Sequence, residues 1–155
     1  MVIAKSTRLE DIWKLFHDRL VAQVTTVSIA GSQTITIQRV DSSYNDSDFS
    51  SKDSFPIIIV ETPTLNDSNL TLYKEKSSGH IIVEVYTTQA ESAEKFASNI
   101  LNAVESYKKT LSDNGLKNVH GNLVDSDFAE HGKIKIHVRR MEFSFDFFYN
   151  KTRSY

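Results

Sequence analysis

The sequence contains no cysteine, only two prolines and five glycines, and no long apolar run. The absence of cysteine excludes disulfides, thiolate metal sites and cysteine nucleophiles. Uninterrupted apolar stretches reach only about five residues, whereas a membrane-spanning helix needs roughly 20. We therefore expect a soluble chain that does not associate with a membrane.

Neither sign of charge dominates the chain. Eighteen Lys and Arg stand against 20 Asp and Glu, which gives a formal net charge of −2. Overall charge therefore directs the protein neither to nucleic acid nor to a membrane surface. A length of 155 residues with 39% hydrophobic residues is enough for one core and excludes global disorder. We expect a single domain over residues 1–155.

Motifs for catalysis and cofactor binding are also missing. The histidines lack the helical spacing of metal ligands, and the glycines form neither a dinucleotide-binding nor a P-loop pattern. No GxSxG nucleophile motif is present. Asp125-Ser126-Asp127 is the one compact acidic group, and a turn between strands is its ordinary interpretation. We expect no enzymatic activity, no metal and no cofactor.

Two segments have the apolar spacing of α-helices, with apolar residues recurring every three or four positions. The first predicts a helix over about 8–22, and the second predicts a long helix over Glu91–Leu111. A threonine stands three residues before a glutamate at each start, which is the spacing of a capping box: Thr7 with Glu10, and Thr88 with Glu91.

Alternating and unbroken apolar runs predict the strands. Residues 25–38 alternate and are interrupted at Gly31-Ser32, which predicts a β-hairpin. Residues 55–61 are an unbroken run, typical of a strand buried on both faces. The polar stretch 62–79 predicts loops with at most a short strand at 70–73. Further strands are predicted at 80–87, 119–124 and 133–149, with a turn over 125–132.

The last strand changes its apolar parity. Ile134, Ile136 and Val138 share one parity, and the aromatic residues from Phe143 onward share the other. Because strand side chains alternate, this change requires a β-bulge or bend near Arg139-Arg140, or a twist that gives the two halves different partners. On the strand face opposite Ile134, Ile136 and Val138 lies a basic stripe, which consists of Lys133, Lys135, His137 and Arg139. This stripe is either a solvated face or a docking surface for an acidic partner.

Residues 41–54 hold six Ser and four Asp, with lone aromatics at Tyr44 and Phe49. This composition predicts a long loop or arm that becomes ordered only against a partner. Aromatic and arginine side chains often anchor interfaces. The candidate interaction residues are therefore Tyr44, Phe49, Lys133, Lys135, Arg139 and Arg140.

The predicted order is helix, β-hairpin, two strands, helix and two strands. It favours an α+β fold with a mostly antiparallel sheet and two helices packed on one face. In this order the chain resembles tail terminator (tail completion) proteins of tailed phages and related viruses. The segments that carry the resemblance are the helix Leu9–Val21, the strand Phe55-Pro56-Ile57-Ile58-Ile59, the strand His80–Thr87 leading into Glu91–Leu111, and the closing strand Arg139–Phe147.

The resemblance implies a subunit of a hexameric ring that caps the tail tube, ends its polymerisation and joins the tail to the head. Its partners would be further copies of itself, the tail tube protein and a neck or head-completion protein. DNA would pass through the ring without sequence-specific binding. The protein would reside at the tail–neck junction of the virion, and in the host cytoplasm during assembly.

Other functions remain open at this point. A neck, head-completion or tail-tube protein would also be a small ring-forming subunit, although tube proteins tend to have one helix where this chain predicts two. From a different class, a small metal-dependent hydrolase could assemble its site from scattered acids and histidines. A ligand-binding domain could have its pocket between the second helix and the sheet.

Overall fold

The computed structural model describes residue 3 and residues 5–70 and 74–150. Within these residues the chain forms three α-helices, α1 (Arg8–Gln23), α2 (Ala90–Glu105) and α3 (Lys108–Asp113). The strands are β1 (Thr26–Ile29), β2 (Gln33–Thr36), β3 (Arg39–Asp41), β4 (Ile57–Val60), β5 (Thr64–Asn69), β6 (Lys74–Thr87), β7 (Leu116–His131) and β8 (Ile134–Asn150). None of the described helices is long and apolar enough to cross a bilayer.

The main sheet has the strand order β3-β4-β6-β8-β7, and β5 also pairs with β6. β4 lies opposite residues 83–86 of β6, and β5 lies opposite residues 75–80 of the same strand. Among the described strand pairs only β3 with β4 is parallel. β1 and β2 form a separate antiparallel hairpin, as predicted. The structure therefore confirms the predicted α+β class and its mostly antiparallel sheet.

One face of the sheet is covered by the helices and holds the larger core. The helices contribute apolar residues at the predicted spacing, and the strands contribute alternate residues of β6 and β8. Burying each large apolar side chain stabilises the fold by about 1.5–3 kcal/mol. The main buried contributors are Ile12, Phe16 and Leu20 from α1, Phe96, Ile100 and Val104 from α2, and Ile81, Val83, Val85, Met141, Phe143, Phe145 and Phe147 from the strands.

The opposite face, called the second face below, is partly covered by the segment 41–54. A smaller apolar cluster lies there, and Phe49 packs against it from the segment. The segment was predicted to be a long loop or arm that becomes ordered against a partner, and in the structure it packs against its own sheet. Its aromatic residues supply the apolar contact that its Ser and Asp residues lack. The cluster consists of Phe55, Ile57, Ile59, Ile134 and Ile136, with Phe49, Tyr86 and Val138 packed against it.

An ion pair fastens the same segment to β3. Arg39 donates two hydrogen bonds to the Asp48 carboxylate, at 2.9 and 2.5 Å, and Asp48 also accepts the backbone N–H of Asn45 at 2.7 Å. The Asp48 residue is only 7% exposed. The hydrogen bonds from Arg39 lower the pKa of Asp48. The segment is thus a folded cover of the sheet that contains two short 3-10 turns, Asp46–Ser50 and Lys52–Ser54.

β8 pairs with β6 without interruption from Asn150 to His137. The apolar residues of β8 therefore change from one face of the strand to the other without a bulge between β8 and β6. Of the two predicted explanations, the one in which the two halves of the strand pack against different partners is confirmed. Ile134 and Ile136 pack on the second face, and the aromatic half packs under the helices. The irregularities lie in β7, between Lys117 and His120 and between Leu123 and Asp125.

The predicted helix starts and the length of the second helix need correction. Neither α1 nor α2 has a side-chain cap. Thr7 donates to the Asp11 carboxylate at 2.6 Å instead. Glu91 accepts the distant N–H of Ala30 at 3.2 Å, a tertiary contact that local spacing does not report. The long second helix is divided into α2 and α3 at residues 106–107.

Two segments predicted as loops or turns are strands. β7 continues through the predicted turn at 125–132, because it pairs with β8 as far as His131, and only Gly132-Lys133 form the turn. Residues 64–69 form β5 and pair with residues 75–80 of β6. Residues 74–79 of β6 also pair with residues 145–150 of β8. Of the short strand predicted at 70–73, Leu70 is a bend and residues 71–73 lie outside the described residues.

Candidate functional site

The predicted interaction residues lie in three separate places. Lys133 and Lys135 lie at the tip of the β7–β8 hairpin, which extends past the end of β6 because Thr87 pairs with His137. Both lysines are exposed. Within the described part of the chain, neither forms a salt bridge. The hairpin tip therefore presents two available positive charges.

Tyr44, Phe49 and Arg140 meet on the second face, around a cavity of about 190 Å³. The ring of Tyr44 lies 5.2 Å from that of Phe49 and 5.7 Å from that of Tyr86, measured between centroids. Phe49 in turn lies 5.8 Å from Phe55. These contacts form an aromatic wall of the cavity. The segment 41–54 thus positions its aromatic residues beside the sheet.

The strand β7 supplies two carboxylates that line the same cavity, Asp125 and Asp127. They lie opposite Arg140 and Val138 in the β7–β8 register. Each carboxylate accepts the backbone N–H of its next residue, at 2.8 and 2.7 Å. Both are exposed, and the described residues show no ion pair for either. The cavity therefore has an acidic side that faces solvent.

A buried carboxylate, Glu84, lies at the inner end of the cavity. It is 3% exposed and accepts hydrogen bonds from Arg140 at 3.1 Å and from the Tyr86 hydroxyl at 2.9 Å. The hydrogen bond to Glu84 raises the pKa of Arg140. Burial, together with the charge of Glu84, raises the pKa of Tyr86. Arg140 is therefore charged and balances Glu84, while the Tyr86 hydroxyl stays protonated.

Glu61 lies next to this pair on the second face, just after β4. Burial raises its pKa to about 7, with further contributions from a hydrogen bond to the Glu84 carboxyl and from the charge of Glu84. Near neutral pH this carboxyl is therefore only partly ionised. The net negative charge around the cavity comes mainly from Asp125 and Asp127.

Arg139 lies on the helix face, away from the cavity. It forms an ion pair with Glu94 of α2. Because Arg139 and Arg140 are successive residues of one strand, they face opposite sides of the sheet. Burial and the charge of Arg139 lower the pKa of His137, so this ring adds little positive charge at neutral pH. The predicted basic stripe is thus reduced to the lysines at the tip.

The outer edge of β7 forms a further exposed surface. β7 is the last strand in the sheet order, so this edge has no strand partner among the described residues. Three apolar side chains are about half exposed here: Leu123 at 46%, Val124 at 54% and Phe128 at 48%. Leu123 and Val124 lie in the strand predicted at 119–124, whereas Phe128 lies in the predicted turn at 125–132, so the sequence pattern did not indicate one continuous exposed edge.

The turn predicted for the acidic group Asp125-Ser126-Asp127 is wrong, because both aspartates lie on β7 and line the cavity. Glu84 and Tyr86 were not among the predicted interaction residues. One signal for Glu84 was present, since it alternates with the buried Val83 and Val85 in an apolar strand. A carboxylate in such a strand needs a hydrogen-bonded cation. The sequence does not indicate that this cation is Arg140.

Among the described residues, no group of three or more His, Asp or Glu is arranged to hold a metal ion. No protein-family model and no curated protein matches the sequence.

Proposed function

We propose that this chain is a structural virion protein of the tail terminator type, which closes as a ring, ends polymerisation of the tail tube and joins the tail to the head or neck. One observation supports this proposal most directly: the open edge of β7 with its exposed apolar side chains. The function of such a protein is carried by its surfaces, and this edge is a surface suited to association.

An unpaired edge strand is a template for another chain. β7 has 16 residues, and its outer N–H and C=O groups can pair with a strand of a neighbour. Charged residues and bulges oppose such pairing, and β7 has both, with Asp125, Asp127 and Glu130 among its residues and two shifts of register, so the pairing would involve only part of the strand. Full cover of Leu123, Val124 and Phe128 would contribute about 3 kcal/mol in total, before ordering costs. The patch is therefore one part of a larger interface.

The proposed ring requires the edge of β7 to contact an unlike surface of the next copy. β7 lies at one end of the sheet, and the strands on the opposite side, β3 and β5, have three and six residues. A contact between unlike surfaces is head-to-tail, and it closes as a ring when the rotation between neighbours allows it. One rim of this ring would contact the tail tube protein and the other the neck or head-completion protein, with DNA passing through.

Measuring self-assembly tests whether the edge of β7 mediates contact between copies. Light scattering after size exclusion, with negative-stain images, should show rings of about six copies for the unmodified chain. Val124→Lys combined with Phe128→Lys should give monomers with an unchanged circular dichroism spectrum. Val21→Lys is the matched control, because Val21 is also an exposed valine but lies on α1. Rings formed by the β7 variant would contradict the role of this edge.

Tube capping tests the terminator role itself. The protein is added in a small amount to tail tube protein that is polymerising, and tube lengths are measured by electron microscopy. Shorter tubes with a ring at one end are expected, and the β7 variant should leave tube length unchanged. Rings that form but never bind tubes would contradict a terminator and favour a neck protein.

A further inference from the structure

The cavity on the second face combines aromatic rings with carboxylates that have no cationic partner of their own. Tyr44 and Tyr86 lie on one side, and Asp125 and Asp127 lie on the other. Ammonium groups bind favourably both to carboxylates and to the faces of aromatic rings. Glu84 is already occupied by Arg140. The cavity thus has the chemistry to receive one additional cationic group.

The size of the cavity limits what this group can be. Its volume is about 190 Å³, below the roughly 300–1,000 Å³ of pockets that hold drug-sized ligands. It also opens to solvent along β7, where both aspartates are exposed. These dimensions suit a protruding side chain of a partner protein better than a free small molecule.

The chain itself carries suitable side chains at the tip of the β7–β8 hairpin. Lys133 occupies the two-residue turn with Gly132, whose φ of +62° is the conformation that a tight hairpin turn requires at this position. Lys135 follows two residues later, and both lysines are exposed. A positive hairpin tip and an acidic cavity on the same chain are complementary surfaces.

The tip cannot reach the cavity of its own chain. Lys135 has the opposite strand parity to Ile136 and Val138, which line the cavity, so its side chain lies on the other face of the sheet. Lys133 lies beyond the end of the pairing between His131 and Ile134, about 15 Å along the strand from Asp127. An ion pair between these groups therefore requires two copies.

We propose that the cavity bounded by Tyr44, Tyr86 and Asp127 receives one of the two hairpin-tip lysines, Lys133 or Lys135, of a neighbouring copy of this chain, with the other lysine at the cavity rim. This contact rests on the self-association proposed above, and it would fix the orientation of neighbouring copies in the ring. The hairpin tip of each copy would contact the cavity of one neighbour, and the cavity of the same copy would bind the hairpin tip of the other neighbour. The contact is head-to-tail, as a ring requires.

Charge exchange tests the contact. The cavity variant is Asp125→Lys with Asp127→Lys, and the tip variant is Lys133→Asp with Lys135→Asp. Each alone brings like charges together, so its self-association, measured by analytical ultracentrifugation, should be weaker by at least about tenfold. An equal mixture restores opposite charges at every contact and should associate nearly as well as the unmodified chain. Lys109→Asp, an exposed lysine on α3, is the matched control and should change nothing.

Cross-linking provides a second measurement that does not depend on charge. The chain has no cysteine, so Asp127→Cys in one preparation and Lys133→Cys in another can be mixed and joined by a bismaleimide with a spacer of about 10 Å. A spacer is needed because the Cα atoms of a lysine–aspartate ion pair lie roughly 10 Å apart, beyond the reach of a disulfide. A cross-linked pair of one copy of each variant is expected, and mixing either variant with Lys109→Cys should give none.

The outcomes of these experiments distinguish a failure of the tip–cavity contact from a failure of the proposed terminator function. If the mixture associates as weakly as each variant alone and no cross-link forms, the contact is wrong even when the unmodified chain forms rings. A chain that stays monomeric at every concentration contradicts both proposals. Restored association with no effect on tail tubes supports the contact and contradicts the terminator role.

Discussion

The link between Arg39 and Asp48 should control the cover that residues 41–54 place over the second face. Asp48→Asn removes the negative charge and one of the two acceptors that Arg39 uses. A hydrogen bond to a charged group contributes about 1.5–3 kcal/mol. Arg39 is about one-third exposed and keeps Asp41 at 3.5 Å, so water and Asp41 recover part of this loss. We expect a net cost near 2 kcal/mol.

This cost should appear first as local opening of the segment. A loss of about 2 kcal/mol corresponds to about 30-fold faster amide exchange in residues 46–54, if the segment opens as a unit. Hydrogen exchange followed by mass spectrometry measures it directly. Asp53→Asn is the matched control, because Asp53 is exposed in the same segment. The same exchange rates in Asp48→Asn and Asp53→Asn would refute the reasoning.

Two further substitutions test other parts of the fold. Burial raises the pKa of Glu61 from 4.5 to about 7, so its protonated form stabilises the folded state and this stability is lost as pH rises through 7. Glu61→Gln should therefore flatten the fall in unfolding free energy between pH 4.5 and 7, measured with urea, and an unchanged slope would contradict this assignment. A Cβ at Gly79 would lie 2.1 Å from the carbonyl oxygen of Thr64. Gly79→Ala should cost about 3 kcal/mol, against about 1 kcal/mol for Gly31→Ala, which has open space but a φ of +80°. Thermal unfolding that ranks the two variants equally would argue against this clash.

The periodic elements could be predicted from the sequence because burial imposes their pattern. The spacing in 8–22 predicts α1 almost to the residue, and the unbroken run at 55–61 predicts β4. The strand state of 74–79 could not be predicted, because these polar residues are held by pairing with residues 145–150. The same holds for the second half of β7, whose exposed side chains leave no apolar alternation.

The candidate site was predictable only in part. Tyr44, Phe49 and Arg140 were selected from composition, and they do line one cavity. Their acidic counterpart Asp127 was predicted to lie in an ordinary turn, because its approach to Tyr44 depends on the order of strands in the sheet. Residues more than 80 positions apart in the chain meet here, and no local pattern reports such a meeting.

The uninterrupted pairing of β6 with β8 also determines where the chain can change in length. Deleting one residue from the middle of β6 would exchange its two faces, and would place Glu84 and Tyr86 under the helices. β7 already contains two shifts of register and has a neighbour on one side only, so an insertion there disturbs one pairing. Gly31 and Gly132 both lie in turns that border open space, so an insertion at either turn would add length without entering the pairing of β6 with β8.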